Sequence, residues 1–218
     1  PVWCNDKLIQ SSNKDNPVNF KKEWNIESDF IVLYSGNLGR FHDMETIMQT
    51  AIELRNHTDI KFVFVGEGYK KTSCQQTAKH YHLTNCIFKP YVDREDLPSL
   101  LSIPSIGLVS LVKGQEGLSV PSKTFGLLAK GIPTVAIMEK NSEISYVLEE
   151  EKCGITIQSG DHQSLAKTIL YLKENRSVTT KMSINAKKAM AKTYNLNNIS
   201  EKYRSLILEL NKSKGDFK

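Results

Sequence analysis

The feature that most limits what this chain can fold into is a repeated switch in hydrophobic period. From residue 30 onward, short unbroken apolar runs alternate with stretches in which apolar side chains return every three or four positions. Phe30 to Tyr34 and Ile60 to Val65 are runs of the first kind and read as strands covered on both faces. Between them, Met44 to Asn56 places Met44, Ile47, Met48, Ala51, Ile52 and Leu54 on one helical stripe. The pattern then repeats. Tyr69 to Tyr81 reads as a polar helix, Cys86 to Phe88 as a short strand, and Asp93 to Leu101 as a helix capped by Asp93. Ser105 to Val112, Ile132 to Met138 and Gly154 to Gln158 complete the strands. The helices between them are predicted over Pro121 to Lys130, with proline in the first turn, and Ser142 to Glu150. Three helices close the chain, over Asp161 to Glu174, Val178 to Thr193 and Leu196 to Leu210.

Strands joined through helices build a parallel sheet with helices on both faces, so the expected fold is α/β, a Rossmann-like doubly wound sheet of about six strands. The expected organisation is a connector with a short helix near Phe20 to Trp24 over residues 1–29, the Rossmann-like domain over 30–194, and a C-terminal helix and tail over 195–218. The N-terminus, Pro-Val-Trp-Cys-Asn-Asp, lacks a starting Met and the basic-then-apolar order of a signal peptide, and is read as the cut edge of something longer.

Composition removes several function classes. Hydrophobic residues make up 39% of the 218 and charged residues 24%, a globular balance rather than a disordered one. No apolar run approaches the roughly 18 residues that span a bilayer. The four cysteines form no CxxC pair, which argues against zinc or a disulfide framework and for reduced thiols in a cytoplasmic protein. The five histidines form no ligand cluster, and only His42 falls in a ligand loop. No metal site is expected. The net charge of +5 is modest and its basic residues are dispersed, which speaks against nucleic acid as a partner. There is no GxSxG, HExxH or P-loop, and GNLGRF departs from the GxGxxG of dinucleotide binders.

In a doubly wound sheet, ligands bind where the carboxyl ends of the strands meet the following loops. Ser35-Gly36-Asn37-Leu38-Gly39-Arg40 lets backbone approach a ligand, its helix N–H groups favour an anion, and Arg40 adds a phosphate-matching fork. A plain strand-to-helix turn explains the same glycines. Gly66-Glu67-Gly68 has the same standing. The segment from Gly114 to Lys123 is more informative. Lysine in a first helical turn opposes the macrodipole, so Lys123 makes sense beside an anion, whereas a solvated lysine is the plain alternative. Glu116 suits sugar hydroxyls beyond the phosphates.

Five pieces occur in order: YSGNLGRFHDMETI, FVFVGEG, FKPYVDREDLPSLL, the strand ending at Val112, and GLSVPSKTFGLLAKGIPTVA. With them the chain resembles the C-terminal, nucleotide-sugar-binding domain of retaining GT-B glycosyltransferases of the large "glycosyl transferases group 1" family. It is most similar to bacterial aminosugar transferases of the capsule and colanic-acid type. The resemblance implies roles residue by residue. Gly36, Asn37, Gly39 and Arg40 match the diphosphate loop; Gly66 and Gly68 line the nucleotide side; Pro90, Tyr91 and Val92 hold the base. Glu116, Gly117, Leu118 and Ser119 match the loop that contacts the transferred sugar and the diphosphate. Ser122 and Lys123 begin the next helix, with Lys123 neutralising the leaving diphosphate. Glu116, Lys123 and Arg40 are the implied catalytic set.

The chain departs from that pattern. The family pairs two glutamates eight residues apart, and counting on from Glu116 reaches Thr124. A subgroup places a glutamate three residues after the lysine, which here is Gly126. The carboxylate expected on the ribose is therefore missing, with Thr124 as a substitute. The donor implied is a UDP-sugar, with a GDP-sugar as the alternative, and no further cofactor. The partners implied are the missing N-terminal acceptor domain and an anionic membrane surface on the cytoplasmic side. A non-catalytic nucleotide-binding or regulatory module of the same fold is the competing reading.

Overall fold

The computed structural model describes residues 18–27 and 29–213. The first part of the expected connector, Cys4 included, and the tail beyond residue 213 lie outside the described residues. Six strands form one parallel sheet: β1 (Phe30–Ser35), β2 (Ile60–Val65), β3 (Cys86–Lys89), β4 (Ile106–Ser110), β5 (Thr134–Ile137) and β6 (Gly154–Ile157). Their spatial order is β3-β2-β1-β4-β5-β6. The chain steps outward from β1 to β3, then returns to the other side of β1 to lay down β4. That reversal leaves a crevice above the carboxyl ends of β1 and β4. The register across it is short: Val32 faces Ile106 and Leu33 faces Gly107. By contrast, β1 and β2 pair along their whole length, from Phe30 opposite Ile60 to Ser35 opposite Val65.

The unbroken apolar runs divide by alternation between two layers. Ile31, Leu33, Val63 and Val65 join a core with Phe125, Leu128, Ile144 and Ala186. These come from α5 (Lys123–Ala129), α6 (Glu143–Glu150) and α8 (Arg176–Ala189). Val32, Tyr34, Phe62 and Phe64 join the opposite core with Met44, Ile47, Cys74 and Leu165. Those four come from α2 (Met44–Glu53), α3 (Lys71–His80) and α7 (His162–Glu174). Each such burial contributes roughly 1.5–3 kcal/mol.

Several helix starts are fixed by side chains. Asn19 accepts from the Lys22 N–H to begin α1 (Phe20–Glu23). Ser142 and Asp161 cap α6 and α7. Asp43, buried, accepts from Thr46 N–H through one oxygen and from the Thr46 and Ser159 hydroxyls and Gly160 N–H through the other. It thereby ties α2 to the loop before α7.

Three sequence expectations shift. Asp93 does not cap a helix: residues 93–96 form a turn and α4 is only Leu97–Leu100. Pro98 has no N–H to give and is tolerated only in a first turn, so the helix starts beside it. The α5 helix starts at Lys123 rather than Pro121, because Pro121 opens a tight turn whose carbonyl takes the Thr124 N–H. The α8 helix opens into a π-helical turn over Met190–Tyr194, where the Tyr194 ring lies 5.6 Å from that of Phe125.

The last helix, α9 (Leu196–Ser213), buries Ile199 but leaves Tyr203, Leu206, Ile207, Leu208 and Leu210 exposed. No helix among the described residues is long and apolar enough to cross a membrane. Nor do the described residues bring together a group of His, Cys, Asp or Glu able to hold a metal. Cys74, Cys86 and Cys153 are free, and burial pushes their thiols up to about 11, 12 and 12, which leaves them unreactive near neutrality.

Candidate functional site

The fold leaves several buried polar atoms without partners, and they fall on one stretch of chain. Glu116 Oε1, Lys123 Nζ, Thr124 Oγ1 and Glu139 Oε1 have no hydrogen-bond partner among the described residues. All four lie between the end of β4 and the loop after β5. An orphaned buried polar group costs about 1–3 kcal/mol, and of these four residues only Lys123 lines the cavity at the carboxyl edge of β1 and β4.

Lys123 is the centre of that edge. Burial lowers its ammonium to about 7, and its Nζ sits 3.9 Å from the centroid of the Tyr34 ring. It reaches this position because Gly36 has no side chain: a Cβ there would lie 3.3 Å from Lys123 Cε and Nζ. Gly36, with φ at +127°, occupies backbone space that other residues rarely adopt. Tyr34 in turn donates its hydroxyl to the Asn37 carbonyl, and burial raises its pKa above the ordinary phenol value.

A cavity of about 310 Å³ opens over this lysine at the crevice between β1 and β4. The first half of the sheet supplies Ser35, Gly36, Val65, Tyr91, Val92 and Arg94 to its wall. The second half supplies Leu108, Lys123, Gly126 and Leu127, and α4 adds Leu97 and Leu101 to the floor. The charged residues of this lining are thus both cations, and the rest is apolar apart from the hydroxyls of Ser35 and Tyr91. Next to it, a cavity of about 340 Å³ is lined by Gly117 and Ser119 on one side and Asn141, Ser142 and Tyr146 on the other.

Of the residues singled out from sequence, Gly36, Tyr91, Val92 and Lys123 line the first cavity, and Gly117 and Ser119 the second. Gly66 is buried beneath the first: a Cβ there would run into the Gly36 carbonyl oxygen and lie 3.2 Å from Tyr91. Gly68 packs against Asn37 and Leu38 in the same manner. Asn37, Pro90, Leu118 and Ser122 are exposed, and Gly39 is buried within its loop. Glu116 Oε2 accepts from Gly114 N–H at 2.9 Å. Thr124 is fully buried and off both linings. Arg40 is not drawn in either; its guanidinium stacks 4.1 Å from the Tyr69 ring at the surface. Arg94 was missed because it falls inside the stretch read as a helix. Glu139 was missed because a lone glutamate after a strand carries no pattern.

The backbone donors credited to these loops are largely taken. Gly36 N–H goes to the Val65 carbonyl, Leu38 N–H to Glu67, and Gly39 N–H to His42 Nδ1. Asp43 occupies the first turn of α2, while the Leu118 and Ser119 amides both point to the Gln115 carbonyl. The accepting Nδ1 leaves the His42 proton on Nε2. Burial and the nearby Lys123 and Lys70 lower its pKa to about 4, so it is neutral at pH 7. The anion-receptive charge of the cavity therefore comes from two side chains, the buried Lys123 and the exposed Arg94.

Gly66→Ala is expected to destabilise the protein by about 1–3 kcal/mol, since φ there is +141° and the added methyl displaces the Gly36 loop. A melting curve within about 2 °C of the parent would contradict this.

The fold is that of a GT-B glycosyltransferase domain. The structure of Anabaena Alr3699/HepE in complex with UDP matches it with a TM-score of 0.76, over 95% of this chain and 56% of that one, at 15% identity. Residues 16–189 match the family described as Glycosyl transferases group 1, and the chain belongs to that family. It is 31% identical over 169 residues to "Probable glycosyltransferase WbjE" of Pseudomonas aeruginosa, covering 76% of this chain and 41% of that protein. It is 33% identical over 119 residues to WcaI of Escherichia coli (strain K12), named provisionally as a colanic acid biosynthesis glycosyl transferase, covering 55% of this chain and 29% of that protein. The chain spans less than half the length of these curated relatives.

Proposed function

We propose that this chain is the donor-binding domain of a retaining glycosyltransferase that moves a hexosyl or N-acetylaminosugar unit from a nucleoside diphosphate to a polysaccharide or lipid-linked hydroxyl. The observation that carries this reading is the buried, partnerless Lys123 ammonium facing the switch-point cavity. In a sugar transfer the hard step is departure of the diphosphate, and a fixed cation held out of water stabilises the charge that develops there. Lys123 takes that part. Glu116, with one oxygen orphaned, accepts from hydroxyls of the transferred sugar; Tyr91 and Val92 flank the base. UDP is the favoured nucleotide, in keeping with the UDP bound by HepE, and GDP is the alternative.

The acceptor side belongs to a separate N-terminal domain of the same protein, and the exposed apolar face of α9 packs toward it. The parent enzyme works on the cytoplasmic side, with basic surface charge suited to an anionic membrane. Arg40 has only a supporting part in this reading, through long-range charge. A non-catalytic nucleotide-binding module is favoured by one feature alone, glycine at position 126 in place of a carboxylate.

Titrating UDP, GDP and their sugars into the chain by calorimetry, beside a transfer assay on the longer gene product, tests the reading. Binding by the chain, with turnover confined to the longer protein, is the expected result. Turnover by the chain alone sinks the division of labour, and absence of binding by the chain sinks the donor site.

A further inference from the structure

Among the described residues, the wall of the switch-point cavity holds no carboxylate. Its charged side chains are Arg94 and Lys123, and its neutral hydroxyls are Ser35 and Tyr91, the latter half exposed at the mouth. Glu67 is paired with Lys71, and Glu116 is tied to Gly114 in the neighbouring loop. Thr124 has its orphaned hydroxyl inside the core rather than on the wall. On the side of α5 that faces the cavity, Gly126 leaves open space: nothing lies within 4 Å of where its Cβ would be. Next to that gap the wall is Leu127, with Leu97 and Leu101 across from it.

With Lys123 on the diphosphate, the rest of the cavity holds the nucleoside, and the selectivity of this wall rests on that proposed donor site. A sugar hydroxyl placed against this wall meets methyl groups and empty volume. Sites that grip a hydroxyl reject the analogue lacking it, because their own polar groups are left unpaired. A wall with nothing to leave unpaired has no such basis for rejection, and burying a hydroxyl without a partner is unfavourable in itself. We propose that this cavity holds its nucleoside diphosphate without reading the 2′ position. Its ligand class therefore includes 2′-deoxyribonucleoside diphosphates and their sugars, bound within about fivefold of the ribonucleotides. The determinant is Gly126.

The test compares UDP with 2′-deoxy-UDP, and GDP with 2′-deoxy-GDP, on the same chain by calorimetry. The expected result is that the deoxy member of the pair that binds has a Kd no more than fivefold above its ribo partner. A ribo preference larger than fivefold overturns the inference while leaving the donor site standing. No binding of any of the four overturns the donor site and the inference together. Gly126→Glu, checked by melting to be folded, is expected to shift the ratio at least fivefold toward the ribonucleotide. An unchanged ratio in that folded variant overturns the placement of the sugar beside α5.

Discussion

Lys123→Met is expected to weaken nucleoside diphosphate binding about a hundredfold while making the empty protein more stable. The two effects share one origin. Methionine matches the length of the lysine stem and is at home beside Tyr34 and Gly36, whereas the ammonium is held there without a partner. Its depression to about 7, from burial, means that the folded state resists the charge the unfolded chain carries freely. Removing it should stabilise the fold by about 1–3 kcal/mol, discounting for the polarisable ring beneath it. That corresponds to roughly 2–12 °C in melting temperature for a domain of this size. Loss of a charge-assisted contact to the diphosphate is worth about 3 kcal/mol. Calorimetry and a thermal melt on one variant read both. Binding within threefold of the parent would remove Lys123 from the site.

The affinity for a nucleotide sugar is expected to be highest below pH 7 and to fall above it, approaching tenfold per pH unit. The folded pKa of Lys123 lies below its unfolded value, so between about 7 and 10.5 the unfolded chain binds more protons. The empty protein therefore gains stability as pH rises through that window. A bound diphosphate favours the ammonium and raises its pKa, so binding at pH 8 takes up a proton. The groups around it do not blur the signal. His42, near 4, stays neutral throughout, and Tyr34 is pushed above the ordinary phenol range. Calorimetry at pH 8 in two buffers of different ionisation enthalpy reads the uptake directly. A flat profile from pH 6.5 to 9, or uptake that persists in Lys123→Met, would reject the assignment.

The sheet was legible because its inner strands are covered on both faces, which leaves an unbroken apolar signature such as Phe30 to Tyr34. Helix ends were read less well where one residue type competes with another. Asp93 looks like a cap, but Pro98 decides where α4 begins. The site divided along a similar line. Gly36 and Lys123 were readable because each departs from what its local structure prefers. Arg40 was not, because nothing in a loop sequence says whether an arginine turns toward a crevice or stacks on Tyr69. The loop amides were misjudged for a related reason: glycine spacing shows that backbone is near, not whether its N–H groups are already bonded. Glu139 gave no signal, since its meaning comes only from the neighbours that leave it unpaired.

The short register between β1 and β4 has a consequence for how the molecule holds together. With only Val32–Ile106 and Leu33–Gly107 in register there, the sheet is most thinly stitched along the seam where the cavity opens. The cavity wall draws Gly36 and Tyr91 from one side of that seam and Lys123 and Leu127 from the other. Whatever settles across it acts as a clasp between two half-sheets, and its arrival stiffens the whole domain rather than a single loop.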